Sequence, residues 1–115
     1  MISEDFSVVS KLLNVSSLKH QVISHNIANL NTTGYKKKSV SFESMLKEND
    51  LKESILKTNP KINTHENTDR IDGNSASLEE EIGELNVNQL RYQTYLQALS
   101  YKIKGLQGVI SGHFK

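Results

Sequence analysis

Residues 77–110, SLEEEIGELNVNQLRYQTYLQALSYKIKGLQGVI, decide what kind of fold this chain adopts. Positions 78, 82, 85, 89, 92, 96, 99, 103, 106 and 110 are Leu78, Ile82, Leu85, Gln89, Tyr92, Leu96, Leu99, Ile103, Leu106 and Ile110. The steps are four and three throughout, which is the heptad spacing of a helix packed along one seam. Ser77 followed by Glu80 has capping-box spacing, and Glu79, Glu80 and Glu81 suit the positive end of the helix dipole. A helix of about 34 residues would reach roughly 50 Å. Lys102 and Lys104 fit its C-terminal half, whereas Gly105, Gly108 and Gly112 weaken that end by about 1 kcal/mol each relative to Ala.

A second long helix is written at the other end of the chain. Between Phe6 and Leu30 apolar side chains fall at Phe6, Val9, Leu13, Ile23, Ile27 and Leu30, with Ser16 and His20 filling the two missing turns. Val8, Leu12, Val15 and Val22 widen the stripe, Ser3 is the expected N-cap, and Glu4 and Asp5 follow it. The helix leaves through Asn26-Ile27-Ala28-Asn29-Leu30-Asn31-Thr32-Thr33-Gly34-Tyr35. Asn and Thr bond readily to nearby backbone, Asn29 or Asn31 can take a left-handed C-cap, and Gly34 permits a second sharp turn. Tyr35 is then placed to pack its ring back on the helix.

The middle is polar. Lys36-Lys37-Lys38 precede Ser39-Val40-Ser41-Phe42, whose alternation suits a short extended piece. Phe42, Met45 and Leu46 read as one helical turn, and Asp50 to Glu53 has capping-box spacing ahead of Ile55-Leu56, so a short helix is expected there. Thr58-Asn59-Pro60 breaks it, and 61–73 reads as a loop or a loose β-hairpin around Asn63–Asn67 before the Asp72-Gly73-Asn74 turn. The predicted architecture is therefore mainly α within one structural domain, 1–115. An N-terminal helix spans 1–31, a turn motif and partly irregular middle 32–76, and a heptad helix 77–112, the long helices pairing as an antiparallel hairpin or coiled coil.

Composition limits the function. Only 36% of the 115 residues are hydrophobic and none is Trp, so the core is thin and apolar surface remains for copies or partners. A net charge of +1 gives no general pull toward nucleic acid or an anionic membrane. Absence of cysteine removes thiol catalysis and Cys-based zinc sites. The acidic start lacks the basic, apolar layout of a secretory signal, and no window approaches the ~20 apolar residues of a membrane span.

Candidate reactive groups have plainer readings. His20 and His25 are five apart, not the four that a helical metal pair needs, while His65 sits in the polar loop and His113 in the tail. Glu79, Glu80, Glu81 and Glu84 lie on one helix start, where capping and solubility account for them better than acid–base chemistry. The lysine triplet is the composition of a solvated loop. Gln89 and Tyr92 interrupt the seam, either as a tolerated flaw or as a register device, with Asn86, Asn88 and Arg91 beside them. Gly108-x-x-x-Gly112 is either helix fraying or a close-approach surface for another helix. No cofactor, metal or catalytic residue is expected.

The block Asn26-x-Ala28-Asn29-x-Asn31-Thr32-Thr33-Gly34-Tyr35-Lys36 resembles the N-terminal signature shared by bacterial flagellar rod and hook proteins. Asp72-Gly73-Asn74, Leu78-Glu79-x-Glu81, Asn88-Gln89-x-x-Tyr92-Gln93 and Tyr101-Lys102-Ile103-Lys104-Gly105-Leu106 together resemble the proximal rod proteins of the FlgB type. Thr33 stands where that type often has Pro. The resemblance implies a non-enzymatic structural subunit that assembles by helix packing into the drive shaft of the basal body. It also implies passage through the flagellar type III export apparatus, without a cleaved signal peptide, to the periplasmic rod. Implied partners are other copies, rod proteins of the FlgC type and the FliE-type adapter, with no nucleic acid and no membrane insertion. Asn26, Ala28, Asn29, Asn31, Thr32, Gly34 and Tyr35 are then the expected assembly motif, and the heptad positions the helix-packing interface. The alternative is a soluble helical-hairpin adaptor that binds a partner helix.

Overall fold

A computed structural model describes residues 2–66 and 77–111. Helix α1 spans Ile2–Ala28 and helix α3 spans Leu78–Ser111, with β1 (Lys38–Ser41), α2 (Leu51–Lys57) and β2 (Lys61–Thr64) between them. Single 3-10 turns at Glu43–Met45 and Glu48–Asp50 link β1 to α2. The molecule is a rod of 64 × 26 × 15 Å. Asn26 meets Glu81, Ser16 meets Asn88 and Asp5 meets Lys102, so α3 runs antiparallel to α1 as expected. Because Asp5 already sits opposite Lys102, the last turns of α3 extend beyond the start of α1.

α1 is the central element, with α3 on one side and the middle segment on the other. Phe42, fully buried, joins Val15 and Ile55 in a small core against which Val8, Leu12 and Leu46 pack. The positions that only widened the stripe, Val15 and Val22, are thus among its most buried residues, because α1 is covered on two sides. Ionic contacts fasten the same layers. Lys19 donates to Glu43 at 2.6 and 2.7 Å, and Asp5 lies 2.8 Å from Lys52 on α2 and 3.4 Å from Lys102 on α3.

Several local expectations are corrected. α1 begins at Ile2, so Ser3 lies inside its first turn and its carbonyl accepts from Ser7 Oγ. Neither Asn29 nor Asn31 is left-handed; Gly34 (φ 76°) is the described residue with positive φ. The helix unwinds instead through tighter backbone bonds, from Asn29 N to Asn26 O, Leu30 N to Ile27 O and Thr32 N to Asn29 O. The short helix forms at Leu51–Lys57, but the Asp50 side chain does not cap it, and Ser54 Oγ instead accepts from Lys47 N.

No local hairpin forms around Asn63–Asn67 within the described residues. β2 pairs antiparallel with β1 in the register Lys38↔Thr64, Val40↔Ile62, since β1 offers an open edge already anchored to α1. Ser77 Oγ donates to Glu79 Oε2 at 3.1 Å, and Glu80 turns to Lys37, so the expected capping box is not the arrangement adopted. The Asp72-Gly73-Asn74 turn, Gly112 and His113 lie outside the described residues.

Phe42→Ala empties the centre of the small core. It should cost about 3 kcal/mol or more, read as a lower denaturation midpoint with α1–α3 helicity still present before the transition.

Candidate functional site

The expected assembly motif sits where α1 ends, and its centre is the Asn26 side chain, which has no exposed surface. Its Nδ2 donates to Lys38 O (2.7 Å) and to Glu81 Oε1 (2.5 Å). Its Oδ1 accepts from Lys38 N (3.0 Å) and from Tyr35 Oη (2.5 Å). A carboxamide has two donors and two acceptor sites, so every one is filled. The two bonds to Lys38 copy what a neighbouring strand would offer the outer edge of β1, whose other edge pairs with β2, a pairing that His65 N to Lys37 O (2.8 Å) carries one residue further. One side chain therefore joins α1, β1 and α3.

Tyr35 does pack back on the helix. Its hydroxyl donates to Asn26 and accepts from His25 Nδ1 at 3.0 Å, which requires the proton on Nδ1. The two rings are 5.7 Å apart. Burial, and then the nearby Glu81, push the Tyr35 phenol above its ordinary value. Asn29 Nδ2 donates to His25 O (2.8 Å), a carbonyl that also accepts from Asn29 N (3.2 Å), and Thr32 Oγ1 donates to Asn29 Oδ1 (3.1 Å). Tyr35 N to Thr32 O closes a turn whose third residue is Gly34, and the φ of 76° explains the glycine. Ala28 and Asn31 are exposed.

Glu81 is the residue that reading the sequence placed wrongly. It has no exposed surface, although Glu79, Glu80 and Glu84 beside it are exposed. Its Oε2 lies 3.1 Å from Lys37 Nζ without regular hydrogen-bond geometry, so charge holds that oxygen. Lys37 is likewise not a solvated loop residue: its side chain is 12% exposed and lies 3.2 Å from Glu84. Burial opposes its charge, but Glu81 and Glu84 outweigh burial and raise its pKa. Three consecutive glutamates and three consecutive lysines are chemically alike, and only the meeting of α3 with the α1 exit selects one from each.

The heptad positions are the second surprise. Ile82, Leu96 and Ile103 are 44%, 43% and 42% exposed, Leu78, Gln89, Tyr92 and Leu106 are exposed too, and Leu85 and Leu99 are half-buried. Ile110 is placed only as part of the last turn of α3. The face turned to α1 is led by Glu81 and Asn88. Asn88 precedes Gln89, which rotates it by about 100° away from the seam. Ser16 Oγ donates to Asn88 Oδ1 (3.0 Å), and Asn88 Nδ2 donates to Ser16 O (2.8 Å). The register device is therefore Asn88 with Ser16, not Gln89, and Ser16 is a lock where it read as a gap in the stripe. Arg91 lies 3.8 Å from Glu43.

His20 and His25 are exposed, and no group of three His, Asp or Glu is placed to hold a metal among the described residues. Nor, among those residues, is any helix long and apolar enough to cross a membrane. What the joint does is mechanical: it sets the angle and register between three elements.

A family model described as "Flagella basal body rod protein" matches residues 13–36, the second half of α1 and its exit through Tyr35. The flagellar basal body rod protein FlgB of Buchnera aphidicola is 30% identical, over 96% of this chain and 97% of that relative. FlgB of Escherichia coli K12 is 30% identical over 85% of this chain and 86% of that protein. FlgB of Bacillus subtilis is 29% identical, over 87% and 88% respectively.

Asn26→Ala should cost about 3 kcal/mol or more, because it removes the bonds to the buried Glu81 Oε1 and to the Lys38 N–H and carbonyl, leaving Glu81 with Lys37 alone. Glu81→Gln, which still accepts from Asn26, should cost less than Glu81→Ala; denaturant titration of the three variants gives the order. The pH profile should have two edges. Burial raises Glu43, but its bonds to Lys19 hold it below 4.5, and Asp5 is held below 3.8 by Lys52 and Lys102. Carboxyls held low stabilise the fold above those ordinary values and lose that contribution as pH falls through their folded values. Lys37, raised above 10.5, contributes below that value and stops contributing as pH rises through its folded value. Thermal melts across pH should show both edges, with Lys37→Met weakening the alkaline one and the raised Tyr35 and Lys52 leaving part of it in place.

Proposed function

The chain belongs to the FlgB family of flagellar basal body rod proteins, and from that premise we propose that the free face of α3 is the surface by which it joins the rod. It is a structural subunit of the flagellar basal body rod and assembles with other rod components. The single observation behind the proposal is the division of α3. Its polar face is locked to α1 through Glu81 and Asn88, while the seam from Leu78 to Leu106 is left largely uncovered along a helix of 34 residues. Burying one such Leu or Ile side chain on assembly is worth about 1.5–3 kcal/mol.

In this reading the motif from Asn26 to Tyr35 is the joint that holds β1 and the middle segment at a set angle beside the helical pair. The subunit occupies the proximal end of the rod, in the periplasm, and reaches it through the flagellar export apparatus without a cleaved signal peptide. Its neighbours are copies of itself, rod proteins of the FlgC type and the FliE-type adapter. It transmits torque and catalyses nothing. A head-to-tail contact between unlike surfaces of successive subunits suits an open helical assembly. A soluble adaptor would use the same seam, but the relatives named above are rod proteins.

Leu96→Asp and Ile103→Asp test the proposal. Both side chains are exposed in the free chain, so its stability should change by within about 0.5 kcal/mol. Swimming should be lost and the protein should no longer co-purify with detergent-extracted basal bodies. Normal swimming with either seam position charged would sink the proposal.

A further inference from the structure

A groove of about 580 Å³ lies at the joint end of the rod, between β1 and the stretch of α3 from Glu80 to Arg91, with α1 as its floor. Val22 and Ile23 form the base, while Val40 and the exposed Val87 form the apolar sides. Gly83 stands on the α3 wall, and a Cβ built there would meet nothing within 4 Å. Glycine weakens a helix relative to alanine, and no neighbour inside this chain requires its small size. Exposed Lys38 stands on the β1 rim, whereas the α3 rim carries the exposed acids Glu80 and Glu84, which Lys37 approaches from behind, and, at its far end, the cation Arg91.

The geometry points to a docking groove for an amphipathic helix of a different protein, with a small apolar core, acidic residues along one flank and basic residues along the other. Apolar base and sides suit the helix-in-groove mode of recognition, Gly83 admits close approach, and the charged rims select the flanks and the direction of the bound helix. The long helices of this chain do not carry that pattern on their free faces. α1 presents Ser3, Glu4, Ser7, Ser10, Asn14 and Ser17 to solvent, and the outer flank of the α3 seam reads Glu79, Asn86, Gln93, Ser100 and Gln107, so each holds one acid and no basic flank opposite it. A second copy is therefore a poorer occupant than another protein. The groove is separate from the seam contact proposed above and does not depend on it.

The test uses the full chain and a fluorescent helical probe of about 18 residues, five turns. The probe has a Leu/Ala core, Glu along one flank and Lys along the other; a control of the same core has Gln on both flanks. The charged probe should bind at least about tenfold tighter than the control by anisotropy. Gly83→Leu and Val87→Asp should each weaken binding by about tenfold or more, with no fall in Tm for Gly83→Leu, whereas Ile103→Asp should bind the probe normally. Equal affinity for the two probes, or unchanged binding by Gly83→Leu, would overturn the groove as the site. Loss of probe binding in Ile103→Asp would move the contact to the seam and overturn it too. Self-association of the wild-type chain that Gly83→Leu abolishes would make a second copy the occupant.

Discussion

One carboxamide holds this architecture together. Asn26 fills all four of its hydrogen-bonding positions from three elements, with donors and acceptors shared among Lys38, Tyr35 and Glu81. Residues that place those partners are constrained in turn. Gly34 must be left-handed so that Tyr35 folds back, and Lys37 must follow so that its ammonium meets the buried Glu81. A buried polar group is costly unless matched, so a network this complete favours one geometry over any near alternative. That matters more for a shaft component than the net energy of any single bond.

Hydrophobic burial plays an unusual part. The core beneath Phe42 is small, and the helix pair is registered by polar contacts: Ser16 with Asn88, Asn26 with Glu81, and Asp5 with Lys102. Polar contacts add little net energy individually but penalise slipped registers strongly. Most of the apolar side chains of α3 are thereby left on the outside. The free chain forgoes that burial, which the assembly proposed above would recover.

The fold was largely legible where periodicity carries the message. Leu78 to Leu106 announced a long helix, Phe6 to Leu30 another, and their lengths match α3 and α1. The alternation at Ser39–Phe42 foretold β1, and the apolar pair Ile55-Leu56 between Asp50 and Pro60 foretold α2. The site was legible in part. Asn26, Asn29, Thr32, Gly34 and Tyr35 stood out, and they form one connected network. Ala28 and Asn31 belong to the same block but face solvent. The family resemblance ran through Glu81 and Asn88, but side-chain chemistry alone did not mark Glu81 against Glu80, Lys37 against Lys36, or Asn88 against Asn86 as the buried partner.

The sequence by itself determined the helices, the polar joint between α1 and β1, and the surplus of apolar surface, because periodicity, capping chemistry and composition act over a few neighbouring residues. Tertiary structure alone decided which face of α3 meets α1. A seam of Leu and Ile would pack well against any apolar helix. The choice was made by matching buried polar groups across 55 residues from Asn26 to Glu81 and 72 from Ser16 to Asn88, and no local rule reaches that far. Because the polar face was satisfied inward, the apolar face was left outward, available to the rest of the rod.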